Sequence, residues 1–347
     1  MARRRKSNRG GWIVLLMLIT VGVAVYYFGP WGKPASGDPN NADGNGTLAG
    51  GNGGGKAATN DENNIRHPGG LHFVVYDGNE PSPAKARAGI TEAMRIRNDE
   101  PIRARGLLRD ALNYGQLPPT EAGRVREALE ALVNRTIFNN SAYVNPRDSY
   151  TVGYTMRSGE YLANSGGKKG VVSRLELWVP AEGQVMANGI RSATNLRAGQ
   201  TYKLLRGPCH AVVYKDQKVM DIYLRDLFVK RMPVAIGKPE TPTPEGTFLI
   251  AQKVAGSSYY PPVGRGGRVS RPGDADYPLD PHGYFMKITG IGDTKIAASD
   301  GYAIHGTNEP DSIGTAASLG CVRLGPEDIQ WAWNMLYETK ATVTILP

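Results

Sequence analysis

Cysteine is almost absent from this chain: Cys209 and Cys321 are the only two among 347 residues. Two cysteines cannot build a disulfide framework, and no CxxC spacing is present for zinc or redox chemistry. One disulfide between them is the remaining structural option, and the surroundings of Cys321 argue against it. Histidine is nearly as scarce, at five residues, and none has a carboxylate at metal-ligand spacing, so neither a metal nor a cofactor is expected. Long basic runs are missing beyond the N-terminus. Arg3, Arg4, Arg5, Lys6 and Arg9 sit together there and account for much of the net charge of +9. A nucleic-acid partner therefore has little support. The mild positive charge that remains suits an anionic surface, and a solvated exterior explains it equally well.

What is present divides into segments. Residues 12–28 form an uninterrupted apolar run without charge, at the short end of what spans a bilayer as a helix. The basic tail at 1–11 should stay cytoplasmic and place everything after Phe28 outside. A cleaved signal peptide is the rival, but the run ends in bulky Tyr26, Tyr27 and Phe28 rather than small cleavage-site residues. An uncleaved anchor is the favoured expectation. Residues 29–70 are rich in Gly, Asn and Asp, cannot bury enough surface to fold, and read as a flexible tether. His67 falls within it and His72 just after it.

Residues 83–140 read as a helical region. Ile90, Met94, Ile102, Leu107, Leu108 and Leu112, then Val125, Leu129, Leu132 and Val133, recur near helical spacing. Pro101 splits the first stretch, and a break at 115–119 separates the second. A small helical hairpin or one repeat-like unit, serving as a packing module or spacer, is the expectation.

From 149 to 205 the pattern changes to a strand signal at Tyr150-Thr151-Val152, an irregular helical middle, and a Gly199-Gln200 turn into a final strand. This order resembles a LysM module, a small strand–helix–helix–strand unit that binds N-acetylglucosamine chains. The departure is Glu160-Tyr161, where that family usually carries Asp-Thr. A divergent packing domain without sugar contact is the alternative.

The remainder is strand-rich. Short β-type runs lie at 210–214, 219–224, 228–236, 247–254, 284–288, 303–305 and 342–346, with turn-forming pairs such as Lys215-Asp216 and Arg225-Asp226 between some of them. A Gly/Pro/Arg-rich loop fills 256–281, and loops of that length inside a compact domain often cover a site. One helix is clear: Pro326 suits its first position, Glu327 and Asp328 complement its dipole, and Ile329, Trp333 and Leu336 form its apolar face.

One segment has strong chemical content: Ile304-His305-Gly306-Thr307, then Ser318-Leu319-Gly320-Cys321-Val322-Arg323. A thiol is a weak nucleophile until a neighbouring base takes its proton. His305 can be that base, with Gly306 permitting close approach. Gly320 lets backbone N–H groups near a substrate carbonyl, as an oxyanion hole requires. Arg323, two residues after Cys321, shares its strand face, and its planar fork suits a carboxylate. Against this stands the ordinary fate of a free cysteine, which is burial as an inert small hydrophobe. That is the expectation for Cys209. His210 falls in a strand beside it, and His282 in the long loop is expected in solvent or at the cleft.

His305-Gly306-Thr307 followed by Ser318-x-Gly320-Cys321-Val322-Arg323 resembles the signature of the L,D-transpeptidase (YkuD-type) catalytic domain. Pro233-Val234-Ala235-Ile236-Gly237 and Thr241-Pro242-Thr243-Pro244-Glu245-Gly246-Thr247-Phe248 resemble its strand and TPxGxF turn. The resemblance covers about 208–347. It implies a mainly-β, sandwich-like domain with Cys321 as nucleophile and His305 as base, while Ser318, Gly320, Arg323 and Gly306 bind substrate or shape the oxyanion hole. Leu319 stands where many members carry His or Arg. The fold expected is thus multidomain: a transmembrane helix, a helical region, a LysM-like α/β module and a C-terminal mainly-β domain with a C-terminal helix. The partners implied are peptidoglycan stem peptides and, through the module, glycan strands, with the chain held in an inner or plasma membrane. The implied reaction is acyl transfer from a tetrapeptide stem to an amine, giving 3-3 cross-links. An L,D-carboxypeptidase, protein-to-wall attachment, or a non-catalytic peptidoglycan-binding anchor remain as alternatives.

Overall fold

The computed structural model describes residues 82–347 except 115, 140–144, 166, 195 and 262–267, and before them the backbone of two short strands. The expected basic tail, the anchor at 12–28 and nearly all of the tether lie outside the described residues. Among those described, no helix is long and apolar enough to cross a membrane. The two short strands, β1 (Asn64–Arg66) and β2 (His72–Val74), pair antiparallel. β1 falls at the end of the stretch read as tether.

The helical region is a unit of three helices rather than a hairpin. In α1 (Pro83–Ile96), Ser82 accepts the Lys85 N–H at 3.2 Å and Pro83 opens the first turn, satisfying a donor that no helical carbonyl can reach. Pro101 opens α2 (Pro101–Tyr114), and α3 (Pro119–Thr136) begins with another proline, whose missing N–H costs nothing at a helix start. Leu108, Val125, Leu129, Leu132 and Val133 are buried as the spacing predicts. Met94 is not: it is 43% exposed. The buried stripe of α1 is Ala86, Ala93 and Ile96 instead. Small side chains allow close helix approach, and Met94 is turned into water.

A buried ion pair ties this unit to the segment that follows. Arg105 on α2 meets Asp148 at 2.6 Å, their side chains only 2% and 3% exposed. Arg105 also donates to Thr136 Oγ1 at 2.7 Å and lies 5.2 Å from the Tyr150 ring centre. The next unit runs β3 (Thr151–Thr155), α4 (Val171–Arg174), α5 (Ala181–Asn188) and β4 (Thr201–Leu205), with β3 antiparallel to β4. It has its own small core around Met156, Val171, Val172, Leu177 and Leu204.

The C-terminal domain is mainly β. Its strands are β5 (Cys209–Tyr214), β6 (Val219–Leu224), β7 (Leu227–Pro233), β8 (Ile236–Gly237), β9 (Gly246–Val254), β10 (Phe285–Gly290), β11 (Ala303–Gly306), β12 (Ala316–Ser318) and β13 (Val322–Leu324). Then come α6 (Pro326–Met335) and β14 (Thr342–Leu346). Eight strands form one mixed sheet in the order β13-β11-β10-β9-β14-β5-β6-β7, and β12 pairs with β8 apart from it. The apolar core lies between this sheet and the helices. Phe248, Ile250, Met286, Ile288, Ile304, Val322 and Leu324 are all buried from the sheet side, with Ile329, Ala332 and Met335 from α6.

The other units dock on this domain. α3 lies against β7, where Arg126 reaches the fully buried Asp221 of β6 at 3.2 Å and Arg231 of β7 holds the same carboxylate at 2.6 Å. The βααβ unit lies against α6. Tyr337 donates to the Asn164 carbonyl at 2.8 Å and packs edge-on to Trp178. Gly183 of α5 comes so near α6 that a Cβ there would stand 2.4 Å from the Asn334 carbonyl oxygen. Backbone cannot yield at that distance, so glycine is required.

Removing Asp148 would strand the Arg105 cation out of water, and breaking a buried pair from one side typically costs about 3–5 kcal/mol. Asp148→Ala is therefore expected to lower stability by about that amount in chemical denaturation, and Asp148→Asn by less because an acceptor oxygen remains. A loss below about 1 kcal/mol in Asp148→Ala would show that Thr136 and Tyr150 suffice for Arg105.

Candidate active site

β11 is the element that positions the site. It pairs antiparallel with β10, Phe285 opposite His305 and Lys287 opposite Ala303. On its other edge it pairs parallel with β13, Ile304 beside Val322 and His305 beside Arg323. Side chains alternate across a sheet, so Ile304 and Val322 point into the core and are buried. His305 and Arg323 point to the opposite face. Cys321 directly precedes β13 and continues the alternation, beside Ala303. His305 and Cys321 are thus diagonal neighbours on one face of adjacent strands, although 16 residues apart in sequence.

That face is the floor of a cleft of about 580 Å³, lined among others by Phe285, Lys287, His305, Ser318, Leu319, Cys321 and Arg323. The long loop after β9 supplies a wall through Ser257, Ser258, Tyr259, Tyr260, Pro278 and Leu279. It is braced by mutual backbone bonds between Tyr259 and Ser270, and by Tyr277 Oη donating to the Ser257 carbonyl at 2.5 Å. Tyr260 is 72% exposed at the rim.

The His305 ring is held on two sides. Its Nδ1 lies 2.7 Å from the Gly306 carbonyl oxygen. A carbonyl only accepts, so Nδ1 must carry the proton and Nε2 is left with a free lone pair. Phe285 stacks on the ring at 5.8 Å with planes 14° apart. Burial pushes the imidazole pKa down to about 4; the Gly306 bond opposes the shift and Arg323 adds to it. Burial also raises the Cys321 thiol, against weaker lowering by an Ala303 backbone bond and Arg323. At neutral pH the resting groups are therefore an uncharged imidazole and a thiol, which donates to the Gly301 carbonyl at 3.7 Å.

The turn before the thiol is tightly braced. Ser318 Oγ donates to the Cys321 carbonyl at 2.6 Å and accepts the Gly320 N–H at 3.1 Å. Lys238 N–H donates to the Ser318 carbonyl at 3.0 Å and Thr241 Oγ1 at 3.3 Å. This is where the Thr241-Pro242 turn meets the site. Gly320 has φ +114°, and a Cβ there would meet Tyr302 Cε1 at 2.7 Å. Both conditions demand glycine. In this arrangement the Gly320 amide is donated to Ser318, and the Gly306 amide to the Tyr284 carbonyl at 3.4 Å. Neither glycine lines the cleft. Arg323 does, and its Nη1 pairs with Glu309 Oε2 at 3.1 Å.

The other candidates lie elsewhere. Cys209 is fully buried in β5 and, like Cys321, is a free thiol. His210 bonds Thr342 Oγ1 at 2.7 Å. His282 is exposed and packs on Tyr284 outside the cleft. Among the described residues no group of His, Cys, Asp or Glu could hold a metal ion. Sequence reasoning missed Phe285, Lys287, Glu309 and Asp280. Asp280 is buried and accepts the N–H groups of His282 and Tyr284 at 2.9 and 3.0 Å, fixing the loop beside His305. Phe285 and Lys287 were reachable by two-residue alternation along β10; Glu309 and Asp280 sit in loops with no such signal.

Residues 210–345 match the family YkuD, the L,D-transpeptidase catalytic domain. The protein YkuD of Bacillus licheniformis, provisionally named an L,D-transpeptidase, is 32% identical over 123 residues, 35% of this chain and 56% of that one. YqjB of Bacillus subtilis, named in the same provisional way, is 30% identical over 125 residues, 36% of this chain and 64% of its own. The chain thus spans between half and two thirds of the length of these curated relatives. Among solved structures, an L,D-transpeptidase from Mycobacterium smegmatis is 19% identical, with 43% of this chain and 64% of that one covered and a TM-score of 0.32. The catalytic domain of an E. faecium L,D-transpeptidase is 21% identical, with 40% and 95% covered and a TM-score of 0.30. Both structural likenesses are distant.

If His305 takes the thiol proton, acylation of Cys321 by a carbapenem should hold its rate from neutral pH down to about 5 and fall only as the imidazole charges near its depressed pKa of about 4. His305→Ala should slow the same acylation about 100- to 10,000-fold, the usual contribution of a positioned base. Mass spectrometry of the adduct reads both. An acid limb at the ordinary imidazole value, roughly 6.5, or an unchanged rate in His305→Ala, would remove His305 from that role.

Proposed function

We propose that the chain is a peptidoglycan L,D-transpeptidase that works through a thioester on Cys321. The observation that carries this reading is the placement of His305, Cys321 and Arg323 on one cleft floor, within residues that match the L,D-transpeptidase catalytic family.

The steps follow from the groups present. His305 Nε2 takes the Cys321 proton as the sulfur attacks the carbonyl of the third, L-centred residue of a tetrapeptide stem. With the Gly320 N–H held by Ser318, the Cys321 N–H at the end of the turn is the donor proposed for the oxygen that becomes negative. The C–N bond breaks, the imidazolium returns its proton to the leaving D-amino acid, and a thioester remains. An amine of a second stem, on diaminopimelate, then attacks the thioester and passes its proton to His305. The thiol is regenerated and a 3-3 cross-link is formed. Water in place of the amine would make the enzyme an L,D-carboxypeptidase, and a protein lysine would attach a protein to the wall. Arg323 is suited to a substrate carboxylate, with Glu309 holding the guanidinium until one arrives.

The flanking segments fit this setting. An apolar run at 12–28 behind a basic tail supports a single-pass anchor in an inner or plasma membrane, with the catalytic domain on the wall side. The strand–helix–helix–strand order of residues 151–205 supports a LysM-like unit that holds glycan strands near the cleft. Protease added outside spheroplasts is expected to digest the C-terminal domain, and its protection would overturn this topology.

Incubation with tetrapeptide-bearing muropeptides, followed by mass spectrometry, is expected to yield 3-3 cross-linked dimers and free D-amino acid. Cys321→Ala should abolish both products, and Cys209→Ala should leave most of the activity. Products of water attack alone would make the chain a carboxypeptidase. No product from a folded parent protein would favour a non-catalytic wall-binding anchor.

A further inference from the structure

The cleft lining contains two basic side chains, Lys287 and Arg323, besides His305, and no aspartate or glutamate. The two differ in their engagement. Arg323 is neutralised by Glu309 at 3.1 Å. Lys287 is half-buried, and among the described residues its side chain enters neither a hydrogen bond nor an ion pair. A lysine with no structural partner, on the floor of a reaction cleft, is a cation available to a ligand.

Its position relative to the thiol follows from the pairing. Lys287 lies opposite Ala303 on β11. The parallel pairing of Ile304 with Val322 places Cys321 beside Ala303 on the other side. Lys287, Ala303 and Cys321 therefore form one row across three strands. Two strand spacings separate the Cα atoms of Lys287 and Cys321, about 9–10 Å. A four-carbon stem lets the ammonium cover roughly 6 Å of that span. What remains is about the pitch of one extended residue, roughly 3.5 Å. Gln252 of β9, opposite Lys287 on its other side, also lines the cleft and extends the polar row.

We infer that Lys287 is a specificity-determining residue that binds a carboxylate lying one residue from the scissile carbonyl of the stem peptide. The inference rests on the acyl-transfer reading above and names how that site selects its donor. One carboxylate of a tetrapeptide stem meets the distance: the terminal one of the leaving D-residue, three bonds from the scissile carbonyl carbon, whereas the side-chain one of diaminopimelate is six bonds away. Lys287 is not placed to move a proton in the reaction. It selects substrates that carry the charge.

The test compares the parent protein with Lys287→Met and Lys287→Arg on three donors: a free-acid tetrapeptide, the same peptide ending in a carboxamide, and one amidated on the diaminopimelate side chain. A charge-assisted hydrogen bond to a carboxylate is worth about 10- to 100-fold in affinity. Lys287→Met should raise KM for the free acid by that factor with kcat changed less than about threefold, and Lys287→Arg should restore most of the loss. Amidation of the terminal carboxylate should abolish the difference between parent and Lys287→Met, and abolition by side-chain amidation instead would overturn the one-residue placement. Equal effects on all three donors, or no effect on any, would overturn the inference.

A second readout does not need turnover. Alkylation of Cys321 by iodoacetate, which carries a carboxylate, is compared with alkylation by neutral iodoacetamide. Lys287→Met should lower the ratio of the two rates about 2- to 5-fold, as expected for a single partly exposed charge. An unchanged ratio overturns the inference. A lowered ratio in a protein that processes no tetrapeptide would retain the carboxylate site and refute the transpeptidase reading.

Discussion

The site depends on one pairing constraint, the parallel ladder between β11 and β13. Parallel neighbours cannot be joined by a tight turn, so the chain must leave β11 after Gly306, cross over, and return to Val322 in the same direction. The crossover passes through β12, which pairs with β8, so the returning chain is anchored before it reaches the thiol. A slip of one residue in this register would turn Cys321 into the core and Val322 into the cleft. The buried Ile304, Val322 and Leu324 on the core face oppose such a slip. Apolar burial on one side of the sheet is thus what places the reactive groups on the other.

The second constraint is electrostatic. The cleft holds its ionisable groups away from their solution behaviour: the imidazole is driven neutral, and the thiol is driven away from thiolate. Such a pair stores no ion pair in the resting state. In the proposed acyl transfer it would move a proton only when an acyl donor makes the thiolate worth forming, which would limit wasteful oxidation or alkylation of the sulfur. The Gly306 carbonyl fixes the tautomer and Phe285 fixes the ring plane, so the ordering cost is met during folding rather than during reaction. Ser318 performs the same service for the turn, bonding both Gly320 and Cys321.

The parts legible in the sequence were those with local signals. Pro326 marked the start of α6 and Pro101 the split between α1 and α2, and β-type runs marked most strands of the sheet to within a few residues. The His305–Gly306 and Ser318–Arg323 segments stood out because glycine, thiol, imidazole and guanidinium share a short stretch. What depended on pairing could not be read. Nothing local says that β13 lies parallel to β11, or that Glu309 would reach Arg323. Met94 was misplaced because alanine, not methionine, makes the close face of α1. Phe285 and Lys287 sat in a recognised strand, but the strand's cleft-facing side was unknown until its neighbours were.

The account stands on His305 being a neutral base with its proton on Nδ1, and the most direct measurement is NMR of its ring nitrogens in labelled protein across pH. The account predicts an Nδ1-protonated neutral ring at pH 7 that titrates near 4. A ring protonated on Nε2, or one carrying a positive charge at pH 6.5, would contradict it.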